Sequence, residues 1–174
     1  MATLPGMLCN VRARQGPVVT RAHQHETRPE WRVDWDGKWQ SGFQGNQTIT
    51  AVSELAALLA TRDPDGDAQF LLGRPAAPYP YLALLVSRDR WYVYYFPNDC
   101  EPGSYVHGDT PSAEGTTRLP AGFDIEVDNT MLISGDAALQ AASEFMATGQ
   151  RPASVRWVDL QTGQAIPASD YPIG

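Results

Sequence analysis

SGDAALQAASEFMATGQRPASVRWVDL, residues 134–160, is the stretch from which the fold is read. It reads as one helix followed by one strand. Ser134 is placed as the N-cap, its side-chain oxygen taking an orphan amide of the first turn. Asp136 sits in that turn, where the helix dipole favours negative charge. Ala138, Leu139, Ala142, Phe145 and Met146 fall at helical spacing and form one apolar stripe. Gly149 suits the left-handed residue that ends a helix, and Pro152 bars continuation. Residues 154–160 then read as a strand, with Val155 and Trp157 on one face.

Working back from this unit, residues 49–62 (ITAVSELAALLATR) predict a second helix. Thr50 and Ser53 are its candidate N-caps, Glu54 falls in the early turns, and Leu55, Leu58 and Leu59 make its apolar face. Residues 68–73, 81–86 and 91–96 are short and rich in Leu, Val, Tyr and Phe, so they read as strands. The last two form a hairpin across Ser87-Arg88-Asp89-Arg90. WYVYYF, residues 91–96, lacks polar alternation, as a central strand covered on both faces does. Its tyrosines are candidate ligand contacts, although packing within a sheet is their commoner role. Residues 31–42 predict a hairpin with a two-residue turn at Asp36-Gly37, which sets Trp35 opposite Lys38 and Asp34 opposite Trp39. Trp31, Trp35 and Trp39 fit either the core or a binding surface. Strands are also expected at 105–107, 123–127 and 131–133, and a short one at Val18 and Val19. The result is an α+β domain, a mostly antiparallel sheet with two main helices packed on it. Residues 1–47 read as an N-terminal extension carrying a hairpin, and 48–174 as the domain proper.

Charge is concentrated. Between Asp99 and Asp136 lie eight acids (Asp99, Glu101, Asp109, Glu114, Asp124, Glu126, Asp128 and Asp136) and one base, Arg118, a surplus that equals the whole net charge of −7. Along 123–127 the alternation puts Phe123, Ile125 and Val127 on one face and Asp124 and Glu126 on the other, with Asp128 continuing the acidic face. Such a region repels nucleic acid and attracts a basic partner. A solvated acidic loop with no partner carries the same pattern, and from charge alone it is the commoner case.

The chemistry of a known active site is missing. The chain has no phosphate-binding loop, no dinucleotide fingerprint, no nucleophile elbow and no Cys-x-x-Cys. His23-Gln24-His25-Glu26 crowds metal-ligating types together, but a site needs three or four ligands and the third histidine, His107, is distant in sequence. An ordinary surface segment is expected there, with no metal and no cofactor. Cys9 and Cys100 are expected as free thiols in a reducing compartment. No apolar run approaches the ~20 residues of a membrane helix. The first residues, MATLPGMLCNVRARQ, lack a basic segment ahead of a long apolar core, so a cytoplasmic protein is expected. An enzyme is disfavoured, although His107 with Asp109 and the nearby acids offers one candidate centre.

One pattern points further. Ser53-Glu54-Leu55 with Leu58-Leu59, the hairpin 81–86 with 91–95, and above all Ala141-Ala142-Ser143-Glu144-Phe145, Thr148-Gly149, Arg151-Pro152 and Val155-Arg156-Trp157 resemble the Imm1 family of bacterial immunity proteins of polymorphic toxin systems. The resemblance covers roughly 49–160. It implies a non-catalytic protein that neutralises a cognate toxin, often a nucleic-acid deaminase, by binding the toxin domain one to one. An acidic protein can cover the basic groove that such a toxin needs. On charge, the expected contacts are Asp99, Glu101, Asp109, Asp124, Glu126 and Asp128, with Tyr105 as an aromatic anchor. Neither nucleic acid nor membrane is an expected partner.

Overall fold

A computed structural model describes residues 29–37, 42–99, 103–108, 115–119, 125–167 and 170. Val18 and Val19, the His23–His25 segment, Lys38, Trp39, Phe123 and both cysteines lie outside the described residues, as do Glu101, Asp109 and Asp124 among the expected contacts.

Seven strands form one antiparallel sheet in the order β2-β1-β3-β4-β5-β6-β9, and β7 and β8 form a separate hairpin. In chain order these are β1 (Trp31–Asp36), β2 (Gln44–Ile49), α1 (Val52–Ala60), β3 (Asp67–Gly73), β4 (Tyr81–Ser87), β5 (Arg90–Phe96), β6 (Ser104–His107), β7 (Thr116–Leu119), β8 (Ile125–Asp128), a 3-10 turn (Asn129–Met131), α2 (Gly135–Thr148) and β9 (Arg156–Asp159). This is the expected α+β architecture. β1, within the segment 1–47, is hydrogen-bonded to β2 on one side and β3 on the other.

Side chains alternate across the sheet. On one face Trp31, Val33, Ile49, Phe70, Leu72, Leu82, Leu84, Val93, Val106 and Trp157 meet Leu55 and Leu58 of α1 and Ala138, Ala142, Phe145 and Met146 of α2. Trp31 is therefore a core residue, its ring 4.9 Å from that of Phe145. On the other face the β7–β8 hairpin lays Leu119 and Val127 over Ala83, Leu85 and Tyr92.

The ends of α2 are as the sequence predicts. Ser134 Oγ accepts from Ala137 N–H at 3.3 Å, and Gly149 ends the helix at φ 72° with its N–H on Phe145 O. α1 differs. Its N-cap is Ala51, and neither Thr50 nor Ser53 caps it. Glu54 caps the turn instead, its carboxylate accepting from Thr50 N–H at 2.6 Å and Ala51 N–H at 3.0 Å. The first hairpin also differs. Trp35 pairs with Gly45 and Asp34 with Asn46, across a longer connection closed by Gly37 N–H on Phe43 O. Ile49, buried opposite Trp31, sets this register, because a one-residue slip would turn it out to solvent. Gly45 lets the indole of Trp35 lie across it, since a Cβ there would stand 2.7 Å from Trp35 Cζ2. The expected strand at 131–133 is the end of the 3-10 turn followed by a single bridge from Ile133 to Trp91.

Candidate protein-binding face

Of the expected contacts, Asp99, Tyr105, Glu126 and Asp128 are described. Glu126 and Asp128 project from the exposed side of β8, while Val127 between them is buried. The Glu126 carboxylate accepts from the Thr116 hydroxyl. Arg118, the one base of the acidic span, stands directly opposite Glu126 because β7, a strand not expected from the sequence, pairs with β8. Asp128 Oδ1 caps the 3-10 turn, accepting from Thr130 N–H at 2.8 Å and Thr130 Oγ1 at 2.7 Å. These two bonds, assisted by the field of nearby His107, hold its carboxyl below the usual range. Asp128 is thus a fixed anion at neutral pH.

The structure brings Tyr105 and Asp128 together. Burial raises the Tyr105 hydroxyl first, and the field of Asp128 raises it further. His107, two residues on, directs Nδ1 at Gly108 O at 2.9 Å. A carbonyl only accepts, so that nitrogen carries the proton. Asp99 is exposed just beyond the end of β5.

Tyr105 is also the last rung of an aromatic ladder on the face opposite the helices. Ring centroids step from Tyr79 to Tyr81 (5.5 Å), Phe96 (4.7 Å), Tyr94 (5.0 Å), Tyr92 (5.2 Å) and Tyr105 (6.1 Å). Tyr92 lies under the β7–β8 hairpin, whereas Tyr81, Phe96, Tyr94 and Tyr105 are half-buried. Burial pushes Tyr81 up to about 12 and raises Tyr92 and Tyr94 as well, so the ladder is neutral at physiological pH. Its far end opens on a groove of about 530 Å³ bounded by Arg32, Asp34, Leu71, Tyr81 and the β3–β4 loop at 74–78. The acids are close in the chain and stand out there; the tyrosines of 91–96 read as ligand contacts or, more commonly, as packing, and their shared face with Tyr81 and Tyr105 appears only once the strands are put in register.

Among the described residues, no three His, Cys, Asp or Glu side chains gather where they could hold a metal ion. No helix there is long and apolar enough to cross a membrane. The candidate site is a surface: a neutral aromatic strip with exposed carboxylates near one end.

An α+β domain with an exposed acidic strand edge beside half-buried tyrosines is the class these features define. The model of the Imm1 immunity protein family matches residues 10–159, so the chain belongs to that family and is an immunity protein, not an enzyme. The match starts well before residue 49, where the resemblance was drawn, and takes in β1 and β2. The chain is also 26% identical, over 121 residues, to a double-stranded DNA deaminase immunity protein of Burkholderia cenocepacia (strain H111), covering 68% of this chain and 96% of that protein. The reading of an enzyme centred on His107 and Asp109 is thereby set aside.

Proposed function

We propose that this protein neutralises a toxin domain acting on nucleic acid, a DNA deaminase in the first instance, by binding it one to one and covering its basic substrate groove. The observation that carries the reading is the exposed acidic edge of β8 beside Tyr105. A domain that holds DNA or RNA must present cations to phosphates. The carboxylates of Asp99, Glu126 and Asp128, with Glu101, Asp109 and Asp124 from the same acidic span, offer those cations a competing surface. They steer the encounter and exclude the substrate. The relative named as a DNA deaminase immunity protein supports the choice of toxin chemistry. The net charge of −7 disfavours nucleic acid as a direct partner. The cytoplasm, where such a toxin would meet DNA, is the proposed compartment.

Co-expression with the toxin domain encoded beside this protein's gene tests the reading. Rescue of growth together with co-purification at one-to-one stoichiometry is expected. Undiminished toxicity in the presence of folded protein would refute it for that toxin.

A further inference from the structure

We propose that the outer edge of β2 is a self-association surface, to which a second copy of this chain adds its own β2, antiparallel, about a two-fold axis. Such pairing goes beyond the immunity reading and does not depend on it.

The backbone is the first argument. β2 forms one end of the seven-stranded sheet and pairs with β1 alone. Its six residues keep unbroken register with β1, without a bulge. Alternate N–H and C=O groups of such a strand point away from its neighbour. Among the described residues, none meets those groups with a hydrogen bond on the outer side of β2. The opposite end of the sheet is guarded. There the chain folds back along β9, Val158 bridging to Ala165 and Ile166 N–H donating to Trp157 O at 2.9 Å. Only an extended main chain offers the open edge a matching row of donors and acceptors.

The side chains are the second argument. Open edges are ordinarily protected by lysine, proline or a bulge, and β2 has none of these. It lies within residues 39–53, the longest stretch of the chain without Asp, Glu, Lys or Arg. Gln44, Asn46, Gln47 and Thr48 are exposed. Residues opposite one another in an antiparallel pair share a face. With the two-fold axis perpendicular to the sheet, Gln44, Asn46 and Thr48 therefore meet the same three residues of the copy. Amides and hydroxyls both donate and accept, so the set complements itself.

Charge selects the occupant. The cations of a nucleic-acid-binding toxin find no anion on this edge to pair with. A second copy must avoid its own net charge of −7, and a neutral strip is where it can. Of the nearby charges, Asp34 is gripped by Arg32 in contacts of 2.7 to 3.0 Å, and Glu54 is folded back onto the Thr50 and Ala51 amides. Asp36 stands one strand further in. Tyr105, on β6, is five strands away, about 24 Å at sheet spacing, so the acidic edge beside it stays open in the dimer and each copy takes its own toxin. Six residues a side make a small interface, so the dimer is weak, with a dissociation constant on the order of 10 µM.

Sedimentation velocity of the full chain, from about 2 to 500 µM, tests this. The wild type is expected to pass from monomer to dimer across that range, with no loss of dimer at 0.5 M salt. Asn46→Lys with Gln47→Lys places like charges at the centre of the pairing and is expected to raise the dissociation constant at least about tenfold. Gln161→Lys with Gln164→Lys adds the same charge on the exposed turn after β9 and is expected to change it less than about twofold. Urea midpoints confirm that the variants are folded, and Asn46→Lys alone replaces the pair if the midpoint falls. A wild type that stays monomeric at the highest concentration would overturn the proposal. So would a dimer that the two lysine pairs weaken equally, or one that salt dissociates. Toxin rescue is measured separately, and none of these outcomes alters it.

Discussion

Trp157→Phe separates what the C-terminal unit does for the fold from what it does for binding. Trp157 is 1% exposed, meets Tyr95 edge-on at 6.3 Å, and donates its indole N–H to Pro152 O at 2.6 Å. Phenylalanine keeps an aromatic ring there but withdraws the donor. An orphaned buried carbonyl costs about 1–3 kcal/mol. Three fewer ring atoms leave a void worth roughly 1–2 kcal/mol if the walls do not close on it. The sum is about 2–5 kcal/mol, which in a domain of this size lowers Tm by roughly 4–20 °C. Urea unfolding followed by fluorescence measures the loss, and binding to the toxin domain well below the new midpoint measures the rest. The expected result is a large drop in stability with unchanged affinity, because Trp157 faces the helices, away from the proposed contact surface. A loss under about 1 kcal/mol would refute the hydrogen-bond and packing argument. Weakened binding with an unmoved midpoint would show that Trp157 belongs to the interface.

The remaining expectations divide between fold and association. Gly149→Ala meets only Trp31 Cη2, at an ordinary 3.9 Å, so its cost is the φ of 72° alone, about 1 kcal/mol and a few degrees of Tm by calorimetry. Gly108→Ala drives a Cβ to 2.2 Å from the backbone oxygen of Leu132, so its urea midpoint should fall much further than that of Gly149→Ala. Backbone and side-chain bonds hold the carboxyls of Glu54, Asp128 and Asp159 below their usual values. Their stabilisation is complete above the unfolded values and is lost as pH falls through the folded ones, that is, below about pH 4. Glu54→Gln should therefore flatten the acid limb of a stability–pH curve; an unchanged limb would deny the carboxylate cap that role. Combining Asp99→Asn, Glu126→Gln and Asp128→Asn should slow toxin association about tenfold at low salt, with the difference vanishing near 0.5 M in stopped-flow measurements. Equal rates at low salt would refute steering by this edge.

How far the sequence could be read depended on how local each signal was. The ends of α2 are set by Ser134 and Gly149 acting within one turn, and both were legible. At α1 a distant demand prevailed: Ile49 is drawn into the core opposite Trp31, the helix starts at Val52, and Glu54 reaches back to cap it. β2 carries Gln44, Asn46, Gln47 and Thr48 and pairs with β1 alone, so it buries only Ile49 and offers no apolar alternation to detect. β7 is four residues long and buries only Leu119. The acids of the candidate site were visible because they are neighbours in the chain. The aromatic ladder was not, because its rungs come from β4, β5, β6 and the loop before β4.

That difference bears on how one fold can serve different partners. The ending that carried the family resemblance turns out to be a lock. Phe145 packs on Trp31 and Tyr95, Glu144 accepts from Ala153 and Ser154 N–H at 2.8 and 2.9 Å, Gly149 ends the helix, and Trp157 holds Pro152. These contacts fasten α2 to β9 on one side of the sheet. Tyr81, Tyr94, Phe96, Tyr105 and Leu71 stand on the other side, where strand alternation puts their neighbours in sequence into the core. A substitution at Leu71 or Asp128 changes that outer face without altering a contact of the lock. A substitution at Phe145 or Trp157 does the reverse. The two sets are separated by one residue of strand period, so the sheet can keep its packing while the side chains of its outer face change.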